Sequence, residues 1–245
     1  MNRFFVEQSA VKAGNIEITD KEDIKHICKV LRLGIGDKLE ISDANAFEYL
    51  TEIIDISPAT VTVRILDKQK FAREPQIKVT LYQAVPKQGK METIIQKSVE
   101  LGVHSIVPVF TERTVVTEKH GFEKKLDRWN RVSAEAVKQC KRGIVPEVRK
   151  SMSFEEMLDD LARYDLVLFP YEEENVTSIK DVLRNLKGKS ENIAVIIGPE
   201  GGFSREEARA IVDADGKSVS LGKTILRTET AGPAALAMIM YELEL

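Results

Sequence analysis

The apolar run Ile193 to Ile197 is short and mostly β-branched, the composition of a strand buried on both faces. It runs straight into Gly198-Pro199-Glu200-Gly201-Gly202, and Ser204 with Glu207 then makes a capping box that opens a helix. Buried strand, tight glycine turn and capped helix together make a βα unit. A companion stretch, Leu221-Gly222-Lys223-Thr224-Ile225-Leu226-Arg227-Thr228-Glu229-Thr230-Ala231, repeats the pattern of strand end, glycine turn and helix start. Two such turns at the carboxyl ends of parallel strands are where an α/β sheet binds a ligand. Taken alone, the first turn is equally compatible with close strand–helix packing and no ligand.

The rest of the second part of the chain alternates in the same way. Strands are expected at Ile77 to Val85, Ser105 to Phe110, Leu166 to Pro170 and Ser218 to Leu221. Between them lie helices marked by Met91, Ile94, Ile95 and Val99, by Phe122 to Lys141, by the capping pair Ser153 and Glu156, and by Ile179, Val182, Leu183 and Leu186 closed at Gly188. A last helix runs from Thr230 to Glu244. Alternation of this kind predicts a parallel sheet covered on both faces. The first ~70 residues differ, with strand-like runs at Arg3 to Val6, Lys38 to Ser42, Phe47 to Ile56 and Thr60 to Leu66. They carry one helix, capped at Thr19 or Asp20, with Ile24, Ile27, Cys28 and Leu31 on one face and Gly34 at its end. That describes a small β-barrel-like domain over 1–72, a polar linker near Glu74-Pro75, and an α/β domain over 73–245.

Charge is unevenly spread. Residues 1–72 carry net −2, residues 86–150 net +6 and residues 151–245 net −8. A basic middle in an acidic chain is either a patch for a polyanion or a set of solvated helix faces. No run of eighteen apolar residues exists, the N-terminus lacks a signal-peptide core, and two cysteines give no disulfide framework. A cytoplasmic protein without a membrane span is expected. His26 and Cys28, two apart, do not share a helix face, so no metal site is expected. Three Gly-Lys-Ser/Thr triplets lack the earlier glycine of a P-loop, and no dinucleotide fingerprint, Gly-x-Ser-x-Gly elbow or zinc-protease motif occurs.

The motifs that remain carry a resemblance. Arg3-Phe4-Phe5-Val6, His26, Val30-Leu31-Arg32, Gly36-Asp37, Pro86-Lys87, Lys90-Met91-Glu92, Lys97, Glu100 to Val103, Glu112-Arg113, Arg131, Glu135-Ala136, Gln139, Arg142, Pro146, Ile197 to Phe203 and Leu221 to Ala231 occur in this order. In these the chain resembles the SPOUT class of methyltransferases and, within it, the family that methylates N3 of a uridine in 16S ribosomal RNA. The likeness spans nearly the whole chain. It departs at Thr114 and Cys140, where serine is expected, and at Lys223-Thr224, where a Pro-containing pair is more usual.

The resemblance implies a PUA-like RNA-binding barrel followed by a parallel sheet tied in a deep trefoil knot, a homodimer, and a 30S-subunit substrate. It implies that S-adenosylmethionine is gripped by Leu168, Phe169, Pro170, Ile197, Gly198, Pro199, Glu200, Gly201, Leu221, Gly222, Ile225, Leu226, Arg227 and Ala231. The RNA path is expected along Arg3, His26, Arg32, Lys87, Lys90, Lys97, Arg113 and Arg142, where phosphate contacts position the substrate. Arg227 is the expected group for steadying an anionic base; Glu200 and Glu229 are either the general base or carboxylates that cap helix N-termini. A SPOUT enzyme acting on tRNA or another rRNA site, and a non-catalytic RNA-binding assembly factor, are the alternatives.

Overall fold

The computed structural model describes residues 3–44, 47–70, 74–116, 122–186 and 190–244. The expected helix end at Gly188 and the centre of the linker lie outside these residues. The chain divides into two compact units, one of Met1–Glu74 with Val137–Val145, the other of Pro75–Ala136 with Pro146–Leu245.

The first unit is built on strands β1 (Arg3–Phe5), β2 (Val11–Lys12), β3 (Asn15–Ile18), β4 (Lys38–Ser42), β5 (Phe47–Ile56) and β6 (Val61–Lys70). Among the described residues they form one sheet in the order β1-β4-β5-β6-β3-β2, antiparallel except for the β1–β4 pair. Alternate residues such as Ile16, Ile18, Leu39, Ile41, Val61 and Val63 point into its core. Helix α1 (Lys21–Lys25) starts where Asp20 Oδ1 accepts the N–H groups of Glu22 and Asp23, both at 2.9 Å. It passes into one π turn at His26–Val30, and the chain leaves helical geometry at Arg32, which is left-handed at φ 54°. The helix therefore stops before Gly34, whose N–H instead meets the Asp37 carboxylate at 2.8 Å. The β2–β3 hairpin was not expected.

Two arginines expected on an RNA path are structural in this unit. Arg3 is buried; it donates to the carbonyls of Lys141 at 2.7 Å and Arg142 at 3.1 Å and pairs with Glu48 and Glu40. Arg142 is buried against Glu74, at 2.8 Å. Glu74 Oε1 also accepts the N–H groups of Gly143 and Ile144 at 2.7 and 3.1 Å. Buried guanidiniums must be paired, and these are consumed by carboxylates and carbonyls, so neither is free to meet a phosphate.

The second unit carries β7 (Lys78–Ala84), α2 (Lys90–Glu100), β8 (Ser105–Phe110), α3 (Phe122–Cys140, its last turn counted with the first unit), β9 (Glu147–Val148), β10 (Met152–Ser153), α4 (Phe154–Asp160), β11 (Leu166–Pro170), α5 (Ile179–Arg184), β12 (Asn192–Ile197), α6 (Arg205–Asp213), β13 (Lys217–Val219) and α7 (Thr228–Leu243). Its strands are all parallel, in the order β10-β8-β7-β12-β11-β13 with β9 also on β8. Both expected capping boxes, Ser153 with Glu156 and Ser204 with Glu207, are present. Tyr82, Val107, Phe169 and Ile196 face Phe154, Met157, Ala208 and Ile211 of α4 and α6. On the opposite face α7 packs on β7 and β12 and against α2 and α5. Two-sided cover is why β8, β11 and β12 are almost wholly apolar. No helix among the described residues is long and apolar enough to cross a membrane.

Candidate active site

The loops leaving β11, β12 and β13 converge at the carboxyl edge of the parallel sheet around a cleft of about 750 Å³. Glycines make the cleft possible. A Cβ on Gly198 would lie 2.9 Å from the Phe203 ring. Gly202 has φ 65°, and a Cβ there would lie 2.4 Å from Glu172 Oε1. The turn therefore brings bare backbone to the cleft wall, at positions where a side chain would be strained or displaced.

The loops are tied together beneath the cleft. Thr228, at the start of α7, donates its hydroxyl to the Gly198 carbonyl at 2.7 Å and accepts from the buried Gln83 amide at 2.9 Å. Arg113 donates to the Gly201 carbonyl at 2.9 Å. Glu207, the capping residue of α6, also accepts the N–H of Glu112 at 2.8 Å, so the helix cap anchors a neighbouring loop.

Lys90, in the first turn of α2, lies between two cleft carboxylates, 3.2 Å from Glu200 and 3.3 Å from Glu229. The Lys87 N–H adds a bond to Glu200 at 3.1 Å. Burial would push the Glu200 carboxyl up, but the N–H groups of Glu200 itself and Lys87, together with Lys90, hold it below its usual range. Glu229 is held low first by its own backbone N–H at the α7 N-terminus, against burial, and then by Lys90 and Arg227. Lys90 is pushed up, chiefly by its bond to Glu200. Both carboxylates are thus stabilised as anions, which makes them weaker bases than an ordinary carboxylate.

Pro170, Ile197, Gly198, Pro199, Glu200, Gly201, Leu221, Gly222, Ile225, Leu226, Arg227 and Ala231 all line the cleft. Leu168 and Phe169 do not. Both are fully buried in β11, with Phe169 stacked on Tyr171 and edge-on to Phe203, so the strand end holds the wall from behind. Lys87 is exposed, and Lys87, Lys90 and Arg113 gather around the Gly198–Gly202 turn. Lys97 is exposed and paired with Glu100 at 2.9 Å. In the first unit His26 sits half-buried, edge-on to Phe4, and Arg32 is exposed. Residues not foreseen are Gln83, Tyr171, Glu172, Asn175 and the hydroxyl of Thr228. Thr228 lay inside the second glycine motif; the others carried no local signal.

A family model described as an RNA methyltransferase domain matches residues 72–240, and an RNA methyltransferase PUA domain matches residues 18–66. Ribosomal RNA small subunit methyltransferase E of Bacillus subtilis is 33% identical over 100% of this chain and 98% of its own length. Among solved structures, a methyltransferase from Legionella pneumophila in complex with the cofactor SAM superposes with a TM-score of 0.84 at 32% identity, covering 98% of this chain and 96% of that one. Ribosomal RNA small subunit methyltransferase E from Neisseria gonorrhoeae, bound to S-adenosyl methionine, superposes at 0.86 with 27% identity, covering 98% and 97%. On the strength of the full-length match and the matched domain model, this chain belongs to the ribosomal RNA small subunit methyltransferase E family of RNA methyltransferases.

Proposed function

We propose that this protein transfers a methyl group from S-adenosylmethionine to N3 of a uridine in the 16S rRNA of the small ribosomal subunit. The observation that carries the reading is the glycine-walled cleft at the carboxyl edge of the parallel sheet, in a chain that matches over nearly its full length solved structures that hold that cofactor. The residues fit such a group. Ile197, Leu221 and Leu226 offer apolar surface for a purine, and Gly198, Gly201 and Gly222 let backbone polar groups approach it. When bound, the cofactor supplies an electrophilic methyl group on a sulfonium.

The chain's own part is orientation and electrostatics. Uridine N3 is a poor nucleophile until it loses its proton. Arg227, exposed at the cleft beside the α7 N-terminus, is placed to stabilise the resulting charge on the neighbouring carbonyl oxygen. Glu200 and Glu229, both ion-paired to Lys90, fit a structural role better than that of the base. Holding the two reactants in line supplies much of the remaining acceleration. Lys87 and Arg113 are suited to phosphates at the rim.

The same reading assigns residues 1–72 to RNA binding and 73–245 to catalysis, and includes a trefoil knot through the segment bearing the three loops. It also includes a homodimer. Ile225 lines the cleft yet is 82% exposed, apolar surface that a second protomer would cover. The deciding experiment is transfer from labelled S-adenosylmethionine to 30S subunits lacking the modification, followed by nucleoside analysis. A product comigrating with 3-methyluridine is expected. Cofactor binding with transfer only to tRNA or to another rRNA site would overturn the substrate assignment.

A further inference from the structure

Four carboxylates line the cleft, and three of them are already compensated. Glu200 and Glu229 share Lys90. Glu174 accepts the N–H groups of Val176 at 2.7 Å and Thr177 at 2.9 Å, which hold its carboxyl below the usual range and fix the loop after β11. Glu172 is the exception: it makes no hydrogen bond or ion pair among the described residues. The side chain is exposed at the mouth of the cleft, where it rests against the glycine turn. Oε1 occupies the space in which a Cβ of Gly202 would fall, at 2.4 Å, so the carboxylate lies directly against the glycine turn. Gly202 leaves room for that carboxylate where any other residue would push it away.

Water solvates this carboxylate in the free protein, and it is the one cleft carboxylate among the described residues not already engaged, so it is available to meet a positive charge on a ligand that enters beside the turn. The cofactor of the proposed reaction carries two such charges at one end, the sulfonium and the amino-acid ammonium. We propose that Glu172 is the counter-ion for the cationic methionyl end of S-adenosylmethionine and makes binding depend on that charge; this rests on the function proposed above. Glu172 then acts as a specificity-determining residue. It also accounts for Gly202 in terms of the cofactor as well as of the turn.

The test is calorimetric titration of the full-length protein and its E172Q variant with three probes. S-adenosylmethionine carries both cations, S-adenosylhomocysteine only the ammonium, and 5′-methylthioadenosine neither. The substitution keeps the size of the side chain and removes its charge. E172Q is expected to weaken S-adenosylmethionine about tenfold while leaving methylthioadenosine within about twofold of wild type. If S-adenosylhomocysteine weakens in parallel, the ammonium is the partner; if it is unchanged, the sulfonium is. Either result supports the proposal. Unchanged affinity for S-adenosylmethionine would overturn it, and so would an equal loss for all three probes, which would mark a distorted loop. In both of those cases wild-type binding would leave the methyltransferase reading standing. Failure of the wild type to bind any probe would overturn that reading and the role of Glu172 with it.

Discussion

Thr228 donates its hydroxyl to the carbonyl of Gly198 across 2.7 Å, joining the start of the last helix to the first residue of the glycine turn. Thirty residues separate the two in sequence, and Gln83 on β7 completes the link from below. Replacing Thr228 with valine keeps the shape and removes the donor. The carbonyl is left without its partner, at a cost of about 1–3 kcal/mol. T228V should therefore lower both the unfolding free energy and cofactor affinity, whereas T228S should keep both. Thermal unfolding alongside calorimetry distinguishes these results.

Gly198 and Gly202 should resist even alanine. G198A forces the Phe203 ring away from a Cβ that would sit 2.9 Å from it, and G202A combines a positive φ with displacement of Glu172. Strain of this kind costs about 1–3 kcal/mol per site. Cofactor affinity in both variants should fall further than in a Gly→Ala control such as G34A, where a Cβ meets nothing within 4 Å, checked by titration with S-adenosylmethionine.

Lys90 should contribute to stability at neutral pH and lose that contribution in acid. Glu200 and Glu229 have folded-state pKa values below their ordinary 4.5. A depressed carboxyl contributes stability that is fully present above the unfolded pKa and is lost as pH falls through the folded one. K90M removes one cause of that depression. Its destabilisation relative to wild type should be present at neutral pH and should shrink as pH falls from about 5 to about 3. Melting temperature measured against pH checks this; a deficit that stays constant would show that the ion pairs contribute nothing.

Arg227 should separate chemistry from binding. R227A is expected to lower the single-turnover rate roughly 100-fold, as loss of one charge-stabilising donor does, with little change in cofactor affinity. Equal losses in both would make Arg227 a cofactor ligand and not a catalytic group.

Arg142 and Arg113 should behave oppositely. R142A leaves Glu74 buried without its partner and should cost about 3–5 kcal/mol of stability. R113A, at an exposed position, should leave the melting temperature nearly unchanged and weaken binding to 30S subunits in a salt-dependent way. Denaturant unfolding and filter binding at two salt concentrations test the pair.

What could be read in the sequence was whatever is encoded within a few residues. The capping boxes at Ser153 and Ser204, the buried run before Gly198 and the two glycine turns are local patterns, and each lies where expected. What could not be read depends on partners far along the chain. Arg3 resembles any surface arginine until Glu48 and the Lys141 carbonyl are brought to it. Lys90 could not be assigned to two carboxylates more than a hundred residues away. Leu168 and Phe169 belonged to the right strand, but they point to opposite faces of a sheet covered on both sides, so both are buried away from the cleft. The β2–β3 hairpin escaped notice because strands of two and four residues are too short for alternation to register.

The order of the parallel sheet bears on when the protein becomes competent. β7 is among the first strands of the second unit to be synthesised, yet one of its edges waits for β12, with Lys78 opposite Asn192. Contacts this distant in sequence make folding slow, because a long loop must close before any pairing rewards it. The cleft lies at the far end of that delayed pairing, and its last wall is the start of α7. Nearly the whole polypeptide must leave the ribosome that makes it before the pocket can exist. No truncated product of interrupted translation that lacks α7 would have a complete site.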